Sequence, residues 1–112
     1  MVKRHSRMAR YKLWLEPEVQ QLRERLPGHI SQRVKRLLAG LEQQPKPGRS
    51  QSLAIAGLDA PPNVEIRRIR LEHWRIIDAF NEEDKWVWVL GIRQRPPYDY
   101  EDLPEMISKL SE

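Results

Sequence analysis

The sequence predicts an α+β domain: an N-terminal strand, a helical hairpin packed on an antiparallel β-meander, and a short C-terminal helix. Three observations carry this. Two apolar stripes at helical spacing lie between Val19 and Leu41, parted by Pro27-Gly28. Three stretches rich in Val, Ile and Trp then follow one another, joined by very short connections. A last amphipathic turn precedes the end of the chain. The 112 residues suit one domain and leave little volume for a large buried substrate cavity. Residues 1–10 read as a basic leader open to disorder, with Met8 as an alternative start, and residues 11–112 as the single domain.

Lys12 to Leu15 reads as a short strand, with Tyr11, Leu13 and Leu15 alternating and Trp14 on the opposite face. Glu16-Pro17 opens a helix, because proline lacks only an N–H that the first turn leaves unpaired. Val19, Leu22 and Leu26 share one face. Ile30, Val34, Leu37, Leu38 and Leu41 form the second and stronger stripe, with Arg33, Lys35 and Arg36 on the outer face. The short turn predicts antiparallel packing of the two helices. Gln43 to Asn63 is punctuated by Pro45, Pro47, Gly48, Gly57, Pro61 and Pro62. A structureless loop of that length is uncommon in a small domain, so Leu53, Ile55 and Leu58 are expected to tuck against the core. Val64–Leu71, Trp74–Phe80 and Lys85–Arg93 read as the three strands of the meander. Leu103, Met106 or Ile107, and Leu110 mark the last helix, with Pro104 near its start. Trp86 and Trp88 share a strand face and read, with Trp74, as core packing against the helices rather than as base-stacking platforms.

Composition excludes several classes. The chain has no cysteine, which removes disulfides, zinc ribbons and thiol nucleophiles and favours a reducing compartment. Its longest apolar run, Trp86 to Ile92, is far below the roughly 20 residues a membrane helix needs. No apolar segment follows the basic N-terminus, so no secretory signal is expected and a cytoplasmic protein is. His5, His29 and His73 are scattered and form no metal pattern. No Ser-His-Asp set, glycine-rich phosphate loop or spaced carboxylate pair stands out.

Charge is uneven. Residues 1–50 hold 12 Lys and Arg against 4 acids, and residues 51–112 hold 8 against 12. A basic front and an acidic tail suggest a polyanionic partner met by one surface. The arginines of the meander sharpen this. Arg68 and Arg70 share a strand face, and the short turns bring Arg70, Arg75 and Arg93 to one end of the sheet, with Arg95, Tyr98 and Tyr100 just beyond. Guanidinium groups stay charged and suit bidentate phosphate recognition or a negatively charged transition state. The competing reading is structural: these arginines pair with Glu65, Glu72, Asp78 and Asp99. A tyrosine among cations is expected to have a lowered pKa.

The element order, the segment RRIRLEHWRIIDAF (67–80) and the terminal GIRQRPPYDYEDL (91–103) resemble the RelE/ParE superfamily of type II toxin–antitoxin toxins, over about Tyr11 to Leu110. The ordered set is a basic strand, a tight turn, Trp74-Arg75-Ile76-Ile77, an apolar strand and Gly91-Ile92-Arg93. For RelE-like members the resemblance implies a ribosome-dependent mRNA endonuclease working in the ribosomal A site, without metal or cofactor, by attack of the ribose 2′-OH on the adjacent phosphate. Carried over, Arg70, Arg75, Arg93 and Tyr98 are the implied catalytic residues. Arg68, Arg95, Tyr100 and His73 are the implied substrate contacts. The tyrosine position is shared between Tyr98 and Tyr100, with Tyr98 preferred, because Pro96-Pro97 breaks the register. Both members of the basic pair are arginine here, where the family often has lysine, so proton transfer falls to a tyrosine or to His73. The resemblance also implies a cognate antitoxin, docking on the apolar edges of the hairpin and the terminal helix, with Trp14 either an antitoxin contact or an exposed flank. The acidic tail is expected to meet a basic antitoxin segment or Arg68 and Arg70. The alternatives are a ParE-like inhibitor of DNA gyrase that cleaves no RNA, and an inactive homologue.

Overall fold

A computed structural model describes residues 10–53 and 60–111. Strand β1 (Lys12–Leu15) leads into helices α1 (Pro17–Arg23) and α2 (Gly28–Gly40), then strands β2 (Ser50–Ser52), β3 (Glu65–Leu71), β4 (Trp74–Asn81) and β5 (Trp86–Gln94), helix α3 (Leu103–Ser108) and a 3₁₀ turn at Lys109–Ser111. The sheet has five strands in the order β1-β5-β4-β3-β2. The expected meander, β3 to β5, is antiparallel throughout. β1 joins its β5 edge in parallel, so the whole sheet is mixed. β2 was not foreseen: it lies inside the proline-rich stretch read as loop and pairs antiparallel with β3. Its Ser-Gln-Ser sequence carries no apolar alternation, and an edge strand needs none.

Each face of the sheet has its own core. On one, Val19, Leu26, Ile30, Val34, Leu38 and Leu41 of the hairpin pack on Ile69, Leu71, Ile76, Phe80, Val87, Val89 and Ile92. α1 ends at Arg23, so Leu26 is buried from the inter-helix turn rather than from the helix. On the other, Leu103, Met106 and Ile107 of α3 cover Ile66, Ile77, Ala79 and Leu90. Trp86 and Trp88 pack, as expected, against a helical layer, that of α3. They lie half-buried on the α3 face, edge-on to one another, and both also pack against the exposed Trp14. Leu53 packs on this face as expected, whereas Ile55, Leu58, His5 and Met8 lie outside the described residues.

A β-bulge in β5 phases the two faces. Ile77 is opposite Gly91 and Asp78 is opposite Val89, so Leu90 is the extra residue. Val87 and Val89 face the hairpin. Plain alternation would send Gly91 and Arg93 the same way. After the bulge it is Ile92 that faces the hairpin, while Gly91 and Arg93 turn to the α3 side.

Candidate phosphate-binding site

The register sets three arginines side by side. Arg70 is opposite Arg75, and Arg75 is opposite Arg93. The tight β3–β4 connection fixes this by bringing Leu71 opposite Trp74, with Glu72 at a left-handed φ of 54° in the first turn position. A fourth arginine extends the row: the Arg70 N–H donates to the Arg49 carbonyl at the start of β2, at 3.1 Å. Arg49 was missed because the row has a β2 side only once that strand is recognised.

Two adjoining surface cavities follow this row as far as Arg75, while Arg93 lines neither and opens on a separate cleft with Glu18 and Arg25. One, of about 260 Å³, is lined by Gln51, Leu53, Arg68, Arg70, Arg75, Arg95 and Tyr100. The other, about 530 Å³, shares Gln51, Arg68 and Arg70 and adds Arg49, Ser50 and Glu72. Like charges directly opposed across strands are destabilising unless something offsets them. The structural pairing with Glu65, Glu72, Asp78 and Asp99 does not do so. Glu65 is taken by Arg67, Glu72 by Arg33, and Asp99 accepts only the Glu101 N–H. Asp78 is buried with neither carboxylate oxygen bonded. Among the described residues Arg68, Arg70, Arg75 and Arg95 form no ion pair. Arg68 donates to Gln51 at 2.5 Å, Arg75 to the Glu72 and Trp74 carbonyls at 3.0 Å, and Arg95 to the Tyr98 carbonyl at 3.3 Å. The acidic tail reaches neither Arg68 nor Arg70 by an ion pair among these residues.

Arg93 differs from its neighbours. Its Nε donates to Asp102 at 3.0 Å and its terminal nitrogen to Glu18 at 3.2 Å, neither of them an acid foreseen from the sequence. Burial opposes its charge, but the hydrogen bonds and charges of these two carboxylates outweigh burial and raise its pKa. Gly91 makes room for it: a Cβ there would stand 2.9 Å from an Arg93 terminal nitrogen and 2.5 Å from the Met106 methyl.

The two tyrosines separate. Tyr98 packs on the α3-side core and donates its hydroxyl to Asp102 at 2.5 Å. Burial, then the Asp102 hydrogen bond and charge, raise its pKa, with Arg93 only partly opposing them. The expected lowering by nearby cations is therefore reversed, and Tyr98 is held protonated. Tyr100, at a left-handed φ of 67°, lines the smaller cavity with Arg95 stacked 5.3 Å from its ring centre. His73 is exposed in the β3–β4 turn, its carbonyl accepting the Arg95 N–H at 2.7 Å, and it lines neither cavity.

No protein-family model and no curated protein matches the sequence. Solved structures do match the fold. The archaeal RelE–RelB complex from Pyrococcus horikoshii aligns with a TM-score of 0.66 at 22% identity, over 79% of this chain and 98% of that one. The RelBE2 toxin–antitoxin complex from Mycobacterium tuberculosis aligns at 0.58 and 18% identity, over 77% and 99%. A variant of the Escherichia coli RelE toxin in the free state aligns at 0.57 and 14% identity, over 90% and 97%. The alignments span nearly the whole of those chains and 77–90% of this one, and with its mixed five-stranded sheet, helical hairpin and short C-terminal helix the chain has the RelE fold.

Proposed function

We propose that this protein is the toxin of a type II toxin–antitoxin pair and a metal-independent endoribonuclease that cuts mRNA in the ribosomal A site. The observation that carries this reading is the cross-strand row Arg70-Arg75-Arg93 beside an open cavity holding Arg68, Arg95 and Tyr100. A phosphodiester supplies the negative charge that Arg70 and Arg75 lack among the described residues. The 2′-oxygen attacks phosphorus, the bond to the 5′-oxygen breaks, and the products are a 2′,3′-cyclic phosphate and a 5′-hydroxyl. Arg70, Arg75 and Arg93 stabilise the extra charge on the phosphorane oxygens. Arg93 does so by exchanging Glu18 for phosphate at its terminal nitrogen. Tyr98, held protonated, suits delivery of a proton to the leaving 5′-oxygen rather than removal of the 2′ proton, which passes to water in this open site. Arg68 and Arg95 hold flanking phosphates, Tyr100 offers its ring to a base, and His73 meets the strand at the turn. The reading requires a cognate antitoxin and a cytoplasmic setting, where ribosomes are.

The purified protein is added to a reconstituted translation reaction and mRNA ends are mapped by primer extension, with and without ribosomes. Ribosome-dependent cuts that vanish in the Arg75→Ala/Arg93→Ala double variant are the expected result. Intact mRNA beside an active control toxin overturns it, and a gyrase supercoiling assay then tests the ParE-like alternative.

A further inference from the structure

Asp102 occupies the N-cap position of α3, where an aspartate ordinarily accepts a backbone N–H of the first turn. Here its side chain makes no capping bond. Its two oxygens are turned away and divided: Oδ1 accepts the Tyr98 hydroxyl at 2.5 Å and Oδ2 accepts the Arg93 Nε at 3.0 Å. The Arg93 guanidinium also lies 5.9 Å from the centre of the Tyr98 ring, so the three groups close a triangle. Tyr98 is in turn packed against Tyr100, with ring centres 4.7 Å apart. Tyr100 then lines the arginine cavity.

We propose that Asp102 is a positioning residue: it joins Arg93 of β5 to Tyr98 of the C-terminal segment and, through Tyr98, sets Tyr100 at the cavity, a role that takes its catalytic meaning from the ribonuclease reading above. A half-exposed ion pair contributes little to stability, whereas one carboxylate serving donors from two separate segments fixes their relative geometry. The charged and titratable groups around it are Arg93 on β5, Glu18 on α1, and Tyr98, Tyr100 and Arg95 in the connecting segment. Among the described residues Glu18 bonds only Arg93, at its far nitrogen, and neither Tyr98 nor Tyr100.

The test uses the full chain with ¹³C-labelled tyrosine rings. The chain has three tyrosines, so Tyr98→Phe assigns the Tyr98 signal. In Asp102→Asn, which keeps the side-chain shape, the Tyr98 hydroxyl loses its charged acceptor, and the Tyr98 ring signal at neutral pH is expected to shift from its wild-type position. The cleavage rate constant is expected to drop about 10–100-fold with little change in KM, as displacement of a reacting group does. Asp102→Glu recovers part of it. If Asp102→Asn does not fold, Tyr98→Phe, which removes only the hydroxyl that Asp102 holds, is expected to move the Tyr100 ring signal, and an unmoved Tyr100 signal overturns the positioning role. A Tyr98 signal unmoved in a folded Asp102→Asn variant overturns the positioning role, as does full activity in both variants. If the wild type cleaves nothing but the Tyr98 signal moves, the linkage stands and the ribonuclease reading falls.

Discussion

Asp78 is fully buried on the hairpin side of β4, directly across from Arg67 on β3. Arg67 spends its terminal nitrogens on Glu65 and Ser50, and burial pushes the Asp78 carboxyl up to about 8 against the opposing pull of Arg67. The folded state therefore binds a proton that the unfolded chain releases near pH 4, and stability falls as pH rises from about 4 to about 8, with a slope approaching about 1.4 kcal/mol per pH unit. Asp78→Asn should remove that slope: its melting temperature exceeds the wild type's by a margin that widens from pH 5 to pH 8. A margin that stays constant over this range would refute the assignment. Asp78 was read from the sequence as a counter-ion for the arginine cluster, and the structure places it on the other face. Residue partners of this kind were the least legible part of the sequence. Arg70, Arg75 and Arg93 were legible as a row because short turns and two-residue alternation leave little choice of register. Asp102, Glu18 and Arg49 were not, because loop and helix geometry bring them in and no periodicity records it.

Among the elements, the helices and the three long strands follow from apolar spacing, since each must bury one face. β2 and the bulge do not, one lacking apolar residues and the other hidden within an unbroken apolar run. For the tryptophans of β5 alternation says that they share a face but not that α3 is the layer covering it. The β4–β5 turn offers a test. Lys85 sits at a left-handed φ of 59°, a conformation costing about 1–2 kcal/mol for a residue with a Cβ. Its ammonium stands 5.0 Å from the Tyr11 ring centre, worth about 0.5–1 kcal/mol at an exposed site. Lys85→Gly should thus gain about 0.5 kcal/mol net and raise the melting temperature by a few degrees. An equal or lower value in thermal denaturation would show the turn already relaxed around lysine.

Across the whole molecule the sheet divides two tasks between its faces: the hairpin closes one, and on the other α3 covers only the part away from the arginines. The net charge of +4 understates this, since Arg68, Arg70, Arg75 and Arg95 lie together with no ion pair among the described residues. If four phosphates are met, binding of a fluorescent single-stranded RNA should weaken with salt at a slope in log–log form of about −3. Arg70→Ala should flatten that slope by about 0.7. A slope near zero would show that phosphate contacts do not hold RNA on this surface.

The extra Leu90 has a consequence that reaches beyond packing. It gives β5 a reading frame. Before it, odd-numbered residues belong to the hairpin core; after it they belong to the arginine site. Pairing that residue regularly, with no bulge, would leave the strand as apolar as before and as easily recognised, yet turn Gly91 and Arg93 inward and Ile92 out. Relatives of this fold compared by hydropathy alone would look equivalent with the bulge or without it, though of two strands of this length only the bulged one could assemble the row.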